Sequence, residues 1–339
     1  SQSEIESIIE GLISVLIKTP VESRATVQLV GIILQPDEIE LGSGIKIRRP
    51  KKEDFEIERR MFHSFPEPQF LEPTAFLEIS KNTGIPMEIQ TEVKKAVTLL
   101  QLFRLGSVNY ISYRMYSSFR NLFGNVTVGT AETNHPVYTY IIRDGESEKL
   151  QNFCTALSER LPSNIYQLDG LAKDHISIAY DRYEDALIQI GIDERRITNI
   201  MMGLEALYFK QNERQELDYR LQMRMAKVLG LLSIDSILVK NLVKDAYNIR
   251  SIFSHGGLLD AKKRELYQKK YDGGVGDLTK IMLDFLRISL IVSMIIEMDK
   301  TEFIDLIDNA LIQESDNKKL ENVLDLTDAL MKLIIRTHD

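Results

Sequence analysis

The segment Tyr247 to Gly257 (Tyr-Asn-Ile-Arg-Ser-Ile-Phe-Ser-His-Gly-Gly) brings a phenol, a guanidinium, two hydroxyls and an imidazole close together. A guanidinium carries a permanent positive charge and a planar fork of donors that suits a phosphate. An imidazole takes up and releases a proton near neutral pH. Arg250 and His255 are therefore candidate catalytic residues, the first able to reach a phosphate and the second suited to general acid–base work. Tyr247, Ser251 and Ser254 are candidate supporting residues.

The spacing says what must hold them. Leu242, Ala246, Ile249 and Phe253 recur at intervals of four, three and four, which is one apolar face of a helix turned to a core. The polar side chains then take the remaining face. Gly256-Gly257 is a helix stop, so His255 falls in the last turn, where unpaired carbonyls favour a protonated imidazole. Ser251 lies four residues before His255, close enough to orient its ring. Arg250 and His255 are five apart, about 140° around a helix at ~100° per residue. Within one subunit only the reach of the arginine brings both groups to one phosphate. Two such helices meeting across a dimer would do it more easily.

Around this helix the second half of the sequence reads as helices only. They are expected at Asp174 to Gln189, Asp193 to Tyr208, Glu216 to Leu232, Ile234 to His255, Asp277 to Met298, Thr301 to Ala310 and Lys319 to Ile335. The first half alternates. Strands are expected at Thr26 to Leu34, Ile39 to Ile47 (bent at Gly42 and Gly44), Ala75 to Ser80, Val108 to Tyr116, Val126 to Val128 and Val137 to Ile142. Helices are expected at Glu88 to Arg104 and Glu146 to Leu161, and the proline-rich stretch Phe62 to Pro73 reads as a loop. The change of period places a boundary near residue 170. The fold class is α+β: a mixed N-terminal domain, 1–170, then an all-α bundle, 171–339.

The chain has 339 residues, 44% hydrophobic and 27% charged, enough for one large core or two moderate ones. A net charge of −8 argues against a protein that coats nucleic acid non-specifically, but not against a local basic groove. The basic run Lys46, Arg48, Arg49, Lys51 and Lys52 is a candidate for such a groove, with a solvated face as the plainer reading. The most apolar run, Ile288 to Met298, is shorter than the ~20 residues a bilayer needs. Ser1 to Glu10 carries acids rather than the basic and apolar pattern of a secretory signal. The single cysteine, Cys154, allows neither an intrachain disulfide nor a cysteine-built zinc site, and reads as a small buried apolar residue. A cytoplasmic protein is expected.

Of the remaining histidines, His63, His135, His175 and His338, none has a partner at a strong metal-ligand spacing, so neither metal nor cofactor is expected. Asp272-Gly-Gly-Val-Gly-Asp277 lacks the Lys-Ser/Thr of a phosphate loop and reads as a flexible linker. Glu205 and Arg224 are charged residues among apolar neighbours on two helices, read as a structural ion pair or as substrate-binding residues.

Arg250, four residues and His255 match the RxxxxH motif of the HEPN superfamily. Gly203-Leu-Glu-Ala-Leu-Tyr208, Tyr219-Arg-Leu-Gln-Met-Arg-Met-Ala226, the Arg250 motif with its Gly-Gly tail, and Phe303-Ile-Asp-Leu-Ile-Asp308 follow in order. Over roughly residues 170 to 315 the chain thus resembles the ApeA-like HEPN branch. The resemblance implies an endoribonuclease that needs no metal, leaves a 2′,3′-cyclic phosphate and works as a homodimer through the helix ending at His255. It implies a place in phage defence or as a toxin, with a protein or phage-derived trigger. Ser251 stands where active members often carry Asn, Asp or His. The alternative is a non-catalytic RNA- or nucleotide-binding dimerisation module.

Overall fold

The computed structural model describes residues 2–16, 21–54, 73–83, 87–117, 138–162, 165, 174–188 and 191–332. The chain divides into two compact units, Ser1–Ser158 and Glu159–Asp339. The first is mixed α and β around a small sheet and the second is helical, as the change in sequence period implies. Residues 166–173, around the expected boundary, lie outside the described residues, as do the expected strand Val126 to Val128 and most of the Phe62 to Pro73 loop.

The first unit begins with helix α1 (Gln2–Leu16) and continues with strands β1 (Val21–Val30), β2 (Ile32–Leu34), β3 (Glu38–Gly42), β4 (Ile45–Arg48) and β5 (Ala75–Thr83). Helix α2 (Met87–Phe103), β6 (Asn109–Ser117), β7 (Tyr140–Ile142) and α3 (Ser147–Ser158) complete it. Five strands form an antiparallel sheet in the order β3-β4-β5-β1-β6, while β2 and β7 form a separate parallel pair. Val27 lies opposite Leu77 on one side and Tyr113 on the other. With Ala25, Leu29, Ile45, Ile47 and Ile79 it belongs to the buried set, against which α2 and α3 pack.

The stretch Ile39 to Ile47 is not one bent strand but the hairpin β3–β4. Gly42, Ser43 and Gly44 all have positive φ (98°, 53° and 75°), a left-handed run that reverses the chain rather than kinking it. Helix α1 was not expected from the sequence.

The second unit contains α4 (His175–Ile188), α5 (Asp193–Tyr208), α6 (Leu217–Leu231), α7 (Ser236–Ser254), α8 (Ala261–Lys270), α9 (Val275–Ile295), α10 (Lys300–Ala310) and α11 (Glu314–Met331). Helix α9 is buried nearly all round, through Leu278, Met282, Phe285, Leu286, Leu290 and Ile291 among others. It forms the axis against which α4, α5 and α7 pack. Its two interior charges answer each other, Arg287 Nε donating to Asp284 at 2.7 Å. Among the described residues no helix is long and apolar enough to cross a membrane.

Candidate functional site

Helix α7 positions the Arg250 motif, and both of its ends are fixed locally. Asp235 caps the start, its carboxylate accepting the Ile237 and Leu238 N–H groups at 2.8 and 3.0 Å. Val239, Leu242, Val243, Ala246 and Ile249 are buried and hold the helix to the bundle, while Phe253, expected in that stripe, is half-buried. At the far end Gly256 takes φ 80°. Its N–H donates to Phe253 O at 2.9 Å and that of Gly257 to Ile252 O at 3.0 Å, the paired closure of a Schellman motif. The Gly-Gly pair thus ends the helix at His255 and leaves that residue exposed.

The imidazole of His255 makes no hydrogen bond or ion pair with the described residues, and none joins it to Ser251. Ser251 is half-buried and Ser254 exposed, and neither hydroxyl has a partner among the described residues. Arg250 leaves the other side of the helix. Its Nη2 donates to Glu205 Oε2 on α5 at 3.2 Å, and its guanidinium carbon sits 5.5 Å from the centre of the Tyr247 ring.

This ion pair is incomplete. Arg250 Nε and Glu205 Oε1 are both buried without a hydrogen-bond partner among the described residues, although an arginine and a carboxylate can form two parallel bonds. Burial pushes the Glu205 carboxyl above the usual carboxylate range, against the pull of Arg250. Burial and then the Glu205 charge likewise raise the Tyr247 phenol. The Arg250 side chain stays 28% exposed, so its outer edge can meet a ligand anion.

Arg224 differs in every respect, and the expected Glu205–Arg224 ion pair is not formed. Arg224 is fully buried. Its Nε and Nη2 donate to Asp308 on α10, both at 2.7 Å. Nη1 and Nη2 donate to Glu213 at 2.8 and 2.6 Å, and Nη1 also to Tyr208 O at 2.7 Å. All five guanidinium N–H groups are used, which leaves none for a substrate. The Arg224 hydrogen bonds, outweighing burial, hold the Glu213 carboxyl at about 2. Arg224 is thus a knot tying the α5–α6 loop and α6 to α10. Neither partner was singled out as such in the sequence, because Asp308 lies 84 residues away and Glu213 lies 11 residues away in a loop, where no helical spacing marks it.

The basic run in the first unit does not offer a free groove. Lys46 faces Glu38 and Glu78 across the sheet, Arg48 is buried between Asp54 and Glu78, and Arg49 pairs with Asp37. Cross-strand register neutralises what looks basic in sequence. Lys51 and Lys52 are exposed, but the Lys51 N–H donates to Asp54 at 2.7 Å, so only Lys52 is without a partner among the described residues.

Among the described residues no three His, Cys, Asp or Glu side chains are grouped to hold a metal ion. His63, His135 and His338 lie outside the described residues; burial, then the Lys300 charge, lowers His175 at the start of α4. The glycine stretch before α9 is an ordered helix start. Gly274 has φ 65°, and the Asp277 carboxylate accepts the Gly273 N–H at 2.6 Å, where a phosphate loop would present that N–H to its ligand. Cys154 is buried and its thiol is pushed up to about 12 by burial, which leaves it inert.

No family model, curated protein or solved structure matches the chain.

Proposed function

We propose that the chain is an endoribonuclease of HEPN type that cleaves RNA without a metal and works as a dimer joined through α7. The observation that carries the reading is a contrast within one bundle. Arg224 is saturated, whereas Arg250 keeps an exposed edge and an incomplete partner, five residues before an exposed, unpaired imidazole. In the proposed reaction the ribose 2′-oxygen attacks the adjacent phosphorus. The O2′–P bond forms, the P–O5′ bond breaks, and a 2′,3′-cyclic phosphate and a 5′-hydroxyl result. His255 moves the proton between the 2′-hydroxyl and the leaving 5′-oxygen, and Arg250 stabilises the charge on the phosphate oxygens. Glu205 holds Arg250 in reach, and Tyr247 limits its swing.

The two groups diverge around α7, so a cleft lined by two copies of the motif supplies both to one phosphate. The first unit then senses a trigger or restrains the nuclease, in a defence or toxin role. A second reading, a non-catalytic RNA- or nucleotide-binding dimer, draws on Glu205 occupying one edge of Arg250 and on Ser251 following it.

The test is cleavage of unmodified RNA by wild type, His255→Ala and Arg250→Ala, each checked for helix content. Loss of cleavage in both folded variants supports the nuclease. A mixture of the two that regains activity supports the shared cleft. Cleavage by His255→Ala at the wild-type rate would overturn the reading.

A further inference from the structure

Helix α7 carries a second polar line besides Arg250. Lys240, Lys244, Asn248, Ser251 and His255 recur at spacings of four, four, three and four, opposite the buried Val239, Leu242, Val243, Ala246 and Ile249. All of them are exposed except Ser251, which is half-buried. In a single chain the stripe lies open along the helix and ends at the imidazole, and in a dimer joined through α7 it lines the cleft between the two copies. At a rise of ~1.5 Å per residue it is about 22 Å long, roughly six nucleotides of a stacked strand at ~3.4 Å each.

Helix α8 adjoins this stripe. Asp260 caps its start, just after the glycine stop. At its far end Lys270 and the Tyr271 hydroxyl both bond Asp245, the residue next to Lys244. So the far end of α8 meets α7 at Asp245, one residue from the stripe. Only Tyr267 of α8 is buried. An exposed helix of ten residues, five of them Lys or Arg, does little for a core.

The charge is local, and half of it has no acidic partner among the described residues. From Ser236 to Lys270 there are eight Lys and Arg against three Asp and Glu, in a chain whose net charge is −8. Arg264, Lys269 and Lys270 are paired with Glu194, Glu265 and Asp245. Lys240, Lys244, Lys262 and Lys263 are exposed with no acidic partner among the described residues. Four free ammonium groups beside a row ending in an imidazole suit a flexible polyanion laid along α7. Asn248 and Ser251 can hydrogen-bond sugars or bases between the phosphates.

We propose that the exposed stripe of α7 and the neighbouring lysines of α8 form the track along which single-stranded RNA is led to His255. This rests on the nuclease reading for its choice of polyanion, but its test does not depend on cleavage. The probe is a fluorescein-labelled twelve-nucleotide RNA with 2′-O-methyl riboses, which has no 2′-hydroxyl to attack and survives the titration. Anisotropy is followed against salt for the full chain and two fourfold variants. One is Lys240→Gln, Lys244→Gln, Lys262→Gln and Lys263→Gln. The other, a control of equal charge change, is Lys94→Gln, Lys95→Gln, Lys149→Gln and Lys318→Gln.

At ~0.7 released counterions per phosphate contact on a single strand, the track variant should flatten the log–log salt slope by about 2.8. Each single replacement should account for about 0.7. Affinity at 0.1 M salt should fall at least tenfold in the track variant and less than twofold in the control. Equal slopes for wild type and the track variant would overturn the proposal. So would equal losses in both variants, or binding to anionic phospholipid vesicles without binding to the RNA. If the track variant loses binding while His255→Ala still cleaves, the nuclease reading fails and the track stands.

Discussion

Replacing Arg224 by alanine tests whether a fully buried cation in this bundle is structural. The guanidinium loses five hydrogen bonds at 2.6 to 2.8 Å and leaves three acceptors behind. Asp308 is 38% exposed and recovers water, Glu213 is only 12% exposed and keeps Arg220 and the Lys210 N–H, and Tyr208 O lies inside the bundle. Removing one side of a buried pair costs about 3–5 kcal/mol. A second route agrees in size. Lowering Glu213 from 4.5 to about 2 corresponds, at ~1.4 kcal/mol per decade, to on the order of 3 kcal/mol. That is an upper bound, because the Lys210 N–H and Arg220 supply part of the lowering and solvent screens the outer edge of the carboxylate. At ~2–4 °C per kcal/mol for a unit of this size, Arg224→Ala should lower the far-UV melting midpoint by roughly 10 °C. Adding Glu213→Gln and Asp308→Asn to Arg224→Met removes the stranded charges and should restore more than half of the loss. A loss below ~1 kcal/mol for Arg224→Ala would refute the reasoning, as would a triple variant no more stable than the single one.

Acid titration gives a related expectation. Glu213 is depressed, so its contribution is present above about 4.5 and lost as pH falls towards about 2. Wild type should lose helix stability across that window, and Arg224→Met with Glu213→Gln and Asp308→Asn should lose much less in urea melts at pH 7 and pH 3. Glu205 has the opposite sign: burial raises it, so its ionisation opposes folding as pH rises. Glu205→Gln should therefore change stability at neutral pH by less than about 1 kcal/mol, while loosening Arg250 enough to slow any cleavage. His255→Ala removes an exposed, unpaired side chain and should leave the melting curve within about 0.5 kcal/mol of wild type. Gly256→Ala has free space for its Cβ but must hold φ 80°, so a loss of about 1–2 kcal/mol is expected from backbone strain alone. Sedimentation at micromolar concentration should give twice the chain's 38.9 kDa.

The sequence showed the helices best where apolar period and cap agreed. Asp193–Tyr208 has the expected bounds, and the Arg250 helix ends where Gly256-Gly257 said it would. It failed where polar groups decide. Helix α8 has almost no apolar face, so no period marks it, and its start rests on one carboxylate, Asp260. The β3–β4 hairpin was missed because two glycines within a strand-like run read as a bulge, while the left-handed Ser43 between them has no sequence signal. The site was legible in its parts but not in its pairings. Arg250 and His255 are accessible as their helix face predicts, yet the partner of Arg250 is Glu205, which lies 45 residues upstream, and Arg224 has partners of its own. The acids that neutralise the basic run Lys46 to Arg49 were not legible, because they arrive from other strands and from flanking turns.

The central claim is that Arg250 and His255 cleave RNA by attack of the neighbouring 2′-hydroxyl. The most direct test is the chemistry of the product ends after incubation of purified protein with unmodified RNA in EDTA. The account predicts 2′,3′-cyclic phosphate and 5′-hydroxyl ends from wild type, and intact RNA from folded His255→Ala. Ends bearing 5′-phosphate, or cyclic ends produced equally by His255→Ala, would contradict it.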